Sequence, residues 1–203
     1  RFELGYAPGD GKAFRAAAAA HEIRESLLLE LGLLKTSDRS PDPYDRFRAR
    51  VMFPIESVAG RVVGFGGRLI AAGGKAPKYL NSPESPVYHK GSVLYGLARS
   101  RNQIRREGVA LVVEGYMDLV ALGAGGIEHT AATLGTAMTE EHARLLGRYT
   151  RKALLLFDSD EAGLKATFRA ADALLAQGIQ SSVVTLPPGE DPDTVVRSEG
   201  PEG

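Results

Sequence analysis

Short apolar runs alternate with segments of helical periodicity in the second half of the chain. Predicted strands occupy residues 110–113, 129–133, 153–157 and 182–186. Predicted helices occupy residues 116–123, a segment capped by Thr139, and residues 161–177. The unbroken apolar runs at 110–113 and 153–157 are typical of strands buried on both faces of a parallel sheet. This alternation predicts an α/β fold with a mostly parallel sheet flanked by helices.

The first half has a different pattern, which mixes helices with a β-rich segment. Leucines and alanines at helical spacing predict helices over residues 13–35. Residues 51–55 and 61–65 are predicted to form two strands around a turn at Gly60, and Gly66 and Gly67 to begin loops. Residues 78–83 look irregular, and a helix is expected over residues 97–106. We therefore predict a smaller α+β subdomain over residues 1–107 and a catalytic domain over residues 108–203.

Composition excludes several classes of protein. The 203 residues include no Cys, which removes disulfides, thiolate metal sites and cysteine nucleophiles. No apolar run is long enough to cross a bilayer, and the first residues do not resemble a signal peptide. We therefore expect a cytoplasmic protein without a membrane partner.

The net charge of zero conceals a segregation of charge along the chain. Residues 39–106 contain 13 basic and 4 acidic residues, a net charge of +9. Residues 107–203 contain 7 basic and 15 acidic residues, a net charge of −8. This division indicates either a polyanion-binding surface beside a metal site or two solvated surfaces of different charge.

Three acidic motifs are predicted to follow strands of the second half. Their acidic residues are Glu114 and Asp118, Asp158 and Asp160, and Asp191 and Asp193. Each motif could instead be a helix cap or a turn. Because ligands bind at the carboxyl edge of a parallel sheet, we expect all three motifs to lie together there. Clustered carboxylates repel one another unless a cation offsets them, so the pattern predicts Mg²⁺ or Mn²⁺ in a two-metal phosphoryl-transfer site.

Basic residues cluster upstream of the acidic motifs. Arg46, Arg48 and Arg50 alternate before a predicted strand, which would place three guanidinium groups on one face. Further positive charges occur at Arg68, Lys75, Lys78 and Lys90. These groups suit phosphate binding, although a solvated strand face gives the same pattern.

Several of these motifs resemble those of one family. The segments are VVEGYMD (residues 112–118), FDSDEAG (157–163), PGEDPD (188–193), RFRARVMFPI (46–55) and PKYLNSPE (77–84). The acidic segments resemble the motifs of the Toprim domain and, more narrowly, those of bacterial DnaG-type primases. The resemblance extends over nearly the whole chain from Phe2.

The resemblance implies a nucleotidyltransferase, a DNA-templated RNA polymerase that makes short RNA primers on single-stranded DNA. It implies that Glu114, Asp158 and Asp160 are the catalytic metal ligands. Asp118, Asp191 and Asp193 would complete a site for two or more Mg²⁺ or Mn²⁺ ions. The resemblance also implies that Glu114 assists proton transfer. The residues implied in nucleotide or template contact are Arg46, Arg48, Arg68, Lys78, Asn81 and Lys90.

The implied partners are the single-stranded DNA template, ribonucleoside triphosphates and the RNA primer. In the whole protein they include the replicative helicase and single-strand binding protein at the replication fork. Whole members of the family also carry a zinc-binding module, and without Cys this chain has no counterpart of it. We therefore expect a catalytic core without zinc.

Other functions remain open from the sequence. A topoisomerase- or nuclease-like Toprim enzyme would share the acidic motifs but needs its own nucleophile. A haloacid-dehalogenase-type phosphatase also has two aspartates after an apolar strand. That class has Thr or Val two residues after the second aspartate, at the position of Ala162 in this chain. A non-catalytic module that binds nucleic acid is the third alternative.

Overall fold

The computed structural model describes residues 2–37, 40–70, 76–158, 160–186 and 190–199. For residues 40, 193, 197 and 199 it describes the backbone and not the side chain. The chain forms two compact units. The first unit comprises Arg1–Ile55 and Val62–His89, and the second comprises Glu56–Arg61 and Lys90–Gly203. The helix expected at residues 97–106 thus packs with the second unit. The functional division at residues 107 and 108 stays a prediction.

The first unit combines two short helices with β-structure. Its elements are β1 (Gly5–Ala7), α1 (Ala13–Ala20), α2 (Glu25–Glu30), β2 (Leu34–Ser37), β3 (Ser40–Asp45), β4 (Arg50–Glu56), β5 (Val62–Leu69) and β6 (Tyr79–Asn81). One sheet has the order β1-β4-β5-β6, and β2 pairs with β3 in an antiparallel hairpin. Buried Asp45 joins the hairpin to α1, because its carboxylate accepts the N–H groups of Phe14 and Arg15 at 2.8 and 2.9 Å. The helices predicted over residues 13–35 end earlier than expected, since α2 ends at Glu30 and β2 begins at Leu34.

The second unit contains the predicted parallel sheet. A 3-10 turn (Lys90–Ser92) is followed by α3 (Leu97–Glu107), β7 (Ala110–Val113), α4 (Tyr116–Ala124), β8 (Thr130–Ala132), α5 (Glu140–Leu146), β9 (Lys152–Leu156), α6 (Glu161–Ala176), β10 (Gln180–Val183) and α7 (Pro192–Glu199). The strand order is β10-β9-β7-β8, and every neighbouring pair is parallel. Val112 of β7 and Leu155 of β9 are fully buried in one core with Ile104 of α3 and Leu174 of α6. The α/β class and the helices flanking the sheet are thus confirmed.

Two expectations for the first unit are wrong. Strand β5 continues through Gly66 and Gly67, where the sequence predicts loops. Residues Tyr79–Asn81, predicted to be irregular, form β6 opposite this part of β5. The reason is tertiary: a Cβ atom on Gly67 would lie 2.9 Å from the side chains of both Arg50 and Phe47. The glycine makes room for packing and does not break the strand.

Among the described helices, none has the length and apolar character needed to span a membrane.

The side chain of Arg50 links β5 to the residues that precede β6. Its side chain is buried, and it donates hydrogen bonds to the carbonyl oxygens of Gly67 at 3.0 Å, Lys78 at 3.2 Å and Pro77 at 2.8 Å. We expect Arg50→Met to lower the free energy of unfolding by about 3 kcal/mol, because it removes three hydrogen bonds, one of them to the buried carbonyl group of Gly67. Urea denaturation measures this change. Arg48→Met, which removes the same charge from an exposed position, should cost less than about 1 kcal/mol. Equal costs would contradict the structural role of Arg50.

Candidate active site

The first two acidic motifs meet at the carboxyl edge of the parallel sheet. Val113, the last residue of β7, lies opposite Leu156, the last residue of β9. Glu114 and Asp158 therefore leave the sheet at the same edge, as the sequence predicts. The N–H of Asp158 donates a hydrogen bond to Oε1 of Glu114 at 3.2 Å.

Two acidic residues of these motifs also cap helices. Oδ2 of Asp118 accepts the N–H of Gly115 at 3.1 Å, at the start of α4. Oδ1 of Asp160 accepts the N–H of Gly163 at 2.7 Å and so caps α6. The capping interpretation of these motifs is thus correct as a description of structure, and it does not exclude a second role. A helix amino terminus attracts negative charge, which helps to hold both acids at this edge.

The charge on Glu114 is unfavourable in the folded protein. Burial raises the pKa of Glu114, and the neighbouring charges of Asp158, Asp118 and Asp160 raise it further, while the hydrogen bond from the Asp158 N–H acts in the opposite direction. This combination of a half-buried carboxylate and like charges is typical of functional sites. A bound cation would relieve it.

The donor atoms fit Mg²⁺ in kind but do not form a finished site. Glu114, Asp118, Asp158 and Asp160 offer the hard carboxylate oxygens that Mg²⁺ and Mn²⁺ prefer. However, within the described part of the chain, no three His, Asp or Glu side chains are arranged to hold a metal ion as they stand. The described carboxylates are thus electrostatically coupled, without being arranged to coordinate an ion as they stand.

The third acidic motif differs from its prediction. Strand β10 ends at Val183 and does not extend to residue 186, so the motif does not directly follow a strand. Asp191 precedes α7, and its Oδ1 accepts the N–H of Thr194 at 2.8 Å. Proline at the first position of α7 favours a helix where the sequence suggests a turn. The side chain of Asp193 lies outside the described residues. Metal ligation by Asp191 and Asp193 stays a prediction.

The three alternating arginines do not share a face. Ala49 has a φ of 51°, in the left-handed region, which interrupts the extended backbone between Arg48 and Arg50. Arg50 is consequently buried, while Arg48 is exposed with its guanidinium 5.1 Å from the centre of the Tyr44 ring. The prediction of three guanidinium groups on one face is therefore wrong.

Four of the predicted binding residues lie around β5 and β6. Arg68 of β5 is opposite Tyr79, and Asn81 is opposite Gly66. Arg46 donates to the backbone carbonyl of Asn81 at 3.2 Å. Exposed Lys78 places its Nζ 5.9 Å from the centre of the Tyr79 ring.

Two guanidinium groups in this region carry unused donors. The Nε atoms of Arg46 and Arg68 are both buried, and neither has a hydrogen-bond partner among the described residues. Burial lowers the pKa of Arg46. A buried donor without an acceptor is costly, so neither guanidinium group is placed for stability alone. The pair therefore supports the predicted phosphate-binding role.

Lys90 lies in the second unit, on a turn held by a histidine that sequence reasoning missed. Nε2 of buried His142 lies 2.8 Å from the carbonyl oxygen of Lys90, and its Nδ1 accepts the N–H of Thr139 at 3.2 Å. The Thr139 hydroxyl donates to the carbonyl oxygen of Gly91 at 2.6 Å. Burial lowers the pKa of His142, which favours the neutral ring. The sequence signal was His142 three residues after the capping threonine.

A second feature without a sequence prediction follows β8. Ala132 pairs with Val113, so the segment after it begins at the same carboxyl edge as Glu114. Buried Leu134 has a φ of 63° and Gly135 a φ of 73°. Left-handed backbone at a non-glycine residue stores strain, which is frequent beside functional sites. In the sequence, Gly135 directly after Leu134 is the signal that could have indicated left-handed backbone at this point.

Family comparisons match both halves of the chain. The family model described as DNA primase catalytic core, N-terminal domain, matches residues 1–101, and the Toprim-like model matches residues 111–196. A DNA primase of Pseudomonas putida is 45% identical over 202 residues, which cover 98% of this chain and 30% of that protein. The chain spans about a third of the length of the curated relatives that it matches.

Solved structures give the same result. The RNA polymerase domain of Mycobacterium tuberculosis primase DnaG is 32% identical with a TM-score of 0.88, and the match covers 99% of this chain and 67% of that one. A DnaG primase catalytic domain bound to single-stranded DNA is 44% identical with a TM-score of 0.88, over 99% of this chain and 65% of that one.

The raised pKa of Glu114 predicts that Glu114→Gln stabilises the protein without metal. Since the folded state favours the protonated side chain, the carboxylate destabilises the fold above the unfolded-state pKa near 4.5. The melting temperature of Glu114→Gln should therefore exceed that of the original protein at neutral pH. The gain should disappear as the pH falls below about 4.5.

The same melting experiments test the metal site. Added Mg²⁺ or Mn²⁺ should raise the melting temperature of the original protein and of the exposed control Glu128→Gln, but much less that of Glu114→Gln. An equal shift in all three proteins would contradict metal binding at Glu114.

Gly163 allows the loop after β9 to close on α6. A Cβ atom at this position would lie 2.0 Å from the carbonyl oxygen of Asp158. We expect Gly163→Ala to cost about 3 kcal/mol or more in unfolding free energy, because backbone must move. Ala162→Gly, an exposed position in the same helical turn, should cost about 1 kcal/mol or less. Chemical denaturation measures both, and similar small costs would show that the loop accommodates the methyl group.

Proposed function

The chain belongs to the DnaG-type DNA primase family, and from this membership we propose that it is the catalytic part of a DNA-templated RNA polymerase. It joins ribonucleotides into short primers on single-stranded DNA. The observation that carries the proposal is the convergence of Glu114 and Asp158, from two different motifs, at one edge of a buried parallel sheet. A non-catalytic binding module has no need for carboxylates placed where they raise the pKa of Glu114.

Glu114, Asp158 and Asp160 are the proposed catalytic residues, with Asp118, Asp191 and Asp193 completing the ligand set for two or more divalent ions. The chemistry supplied by bound Mg²⁺ or Mn²⁺ is activation of the attacking hydroxyl and stabilisation of the leaving oxygen. Glu114 is also the proposed acceptor of a proton, at its carboxylate. The helix caps formed by Asp118 and Asp160 fix the positions of their side chains.

The phosphates of the incoming nucleotide are bound by the basic residues of the first unit. The guanidinium groups of Arg46 and Arg68, whose buried Nε atoms have no partner among the described residues, are the proposed anion-binding groups. Lys78, Asn81, Arg48 and Lys90 contribute further contacts to nucleotide or template. Because these contacts are largely electrostatic, template binding should weaken steeply as salt concentration rises.

The proposed partners follow from the same activity. They are the single-stranded template, ribonucleoside triphosphates and the growing RNA primer. In the whole protein the replicative helicase and single-strand binding protein join them at the replication fork in the cytoplasm. The match of residues 1–101 to a primase-specific domain favours this function over that of a topoisomerase or a nuclease.

Asp158→Ala tests the proposed mechanism most simply. We expect incorporation of labelled ribonucleotides on a single-stranded template to fall at least about 100-fold, because a metal ligand provides several kcal/mol of transition-state stabilisation. The matched control Asp172→Ala removes an exposed acid from the middle of α6 and should retain activity. Activity of Asp158→Ala equal to that of the control would contradict the assignment, provided that circular dichroism shows both proteins to be folded.

A further inference from the structure

The edge of the parallel sheet opposite the acidic motifs is basic. Since β7 and β9 are parallel, the residues that precede them lie together at the amino edge. The cationic residues there are Arg105 and Arg106 at the end of α3, Arg148 and Arg151 between α5 and β9, and Lys152 at the start of β9. All five are exposed. We call this set the amino-edge cluster.

Direct contacts join the two segments that form the amino-edge cluster. The Thr150 hydroxyl donates to the carbonyl oxygen of Gly108 at 2.7 Å. The guanidinium of Arg105 lies 4.7 Å from the centre of the Tyr149 ring. Arg151 donates to the carbonyl oxygen of Gln177 at 3.1 Å, which ties the cluster to the end of α6. The two segments that carry the positive charges are thus held together.

Few negative charges offset the cluster. Glu107 lies 3.8 Å from Arg106, and exposed Glu128 precedes β8 at the same edge. Across the described residues, no carboxylate forms an ion pair with Arg148, Arg151 or Lys152. The five positive charges of the cluster and these two negative charges give the amino edge a local net charge of +3. Yet residues 107–203 as a whole carry a net charge of −8.

We propose that the amino-edge cluster is a second contact surface for nucleic acid, which binds the phosphate backbone of the single-stranded template away from the reaction site. Exposed arginine and lysine without carboxylate partners are the groups that bind phosphates. Because the two segments are joined, the five cationic residues are already gathered at one edge before a ligand binds. The inference rests on the proposed function, which supplies a polyanion long enough to extend beyond the carboxyl edge.

The two edges of the sheet predict a dependence on template length. A short oligonucleotide occupies the reaction site alone, whereas a longer one also reaches the amino edge. Loss of the cluster should therefore weaken binding of long templates and leave short ones unaffected.

The test combines Arg148→Gln with Lys152→Gln, which spares the contacts made by Arg105 and Arg151. Fluorescence anisotropy with oligonucleotides of increasing length gives Kd as a function of salt. For long templates we expect binding about tenfold weaker and a logarithmic salt slope reduced by about 1 to 2, as for two lost phosphate contacts. The matched control, Arg24→Gln with Lys35→Gln, removes the same charges from exposed positions of the first unit and should bind within about twofold of the original protein.

The proposal would be overturned if the double variant had the same Kd as the control at every template length. It would also be overturned if the double variant bound templates of all lengths more weakly by the same factor, which would place the two cations at the reaction site. Ribonucleotide incorporation by the original protein is measured on the same templates. Length-dependent binding without any incorporation would reject the polymerase and retain the surface.

Discussion

Parallel pairing of β7 with β9 is the constraint on which the acidic edge depends. Because Val113 lies opposite Leu156, the residues that follow the two strands leave the sheet side by side. Glu114 and the Asp158 backbone are consequently within hydrogen-bond distance. Buried Val112 and Leu155 hold the two strands in this register. The hydrophobic core thus keeps Glu114 half-buried beside like charges, and burial and these charges both raise its pKa.

Helix caps explain how this edge of the sheet tolerates its acidic residues. Asp118 and Asp160 each accept a backbone N–H at a helix start, where negative charge is favourable. Glu114 has the hydrogen bond from Asp158 but is half-buried among like charges. The acids are therefore held in place by their own helices, and a cation would relieve the remaining repulsion. Such an arrangement sacrifices stability for function.

The second unit was predictable because its signals are local. Unbroken apolar runs marked β7 and β9, and Thr139 marked the start of α5. The first unit was harder, because its geometry depends on distant residues. Gly67 lies within a strand since Arg50 packs against it, and Ala49 adopts left-handed backbone that no pattern of polarity reveals. The start of α7 was missed because proline and aspartate serve turns and helix starts equally.

Anomalous diffraction from crystals soaked with Mn²⁺ and a ribonucleoside triphosphate tests the central claim most directly. The account predicts manganese peaks bonded to carboxylate oxygens of Glu114 and of Asp158 or Asp160, at the edge where β7 and β9 end. Manganese bound only elsewhere, with these carboxylates unliganded beside a bound nucleotide, would contradict it.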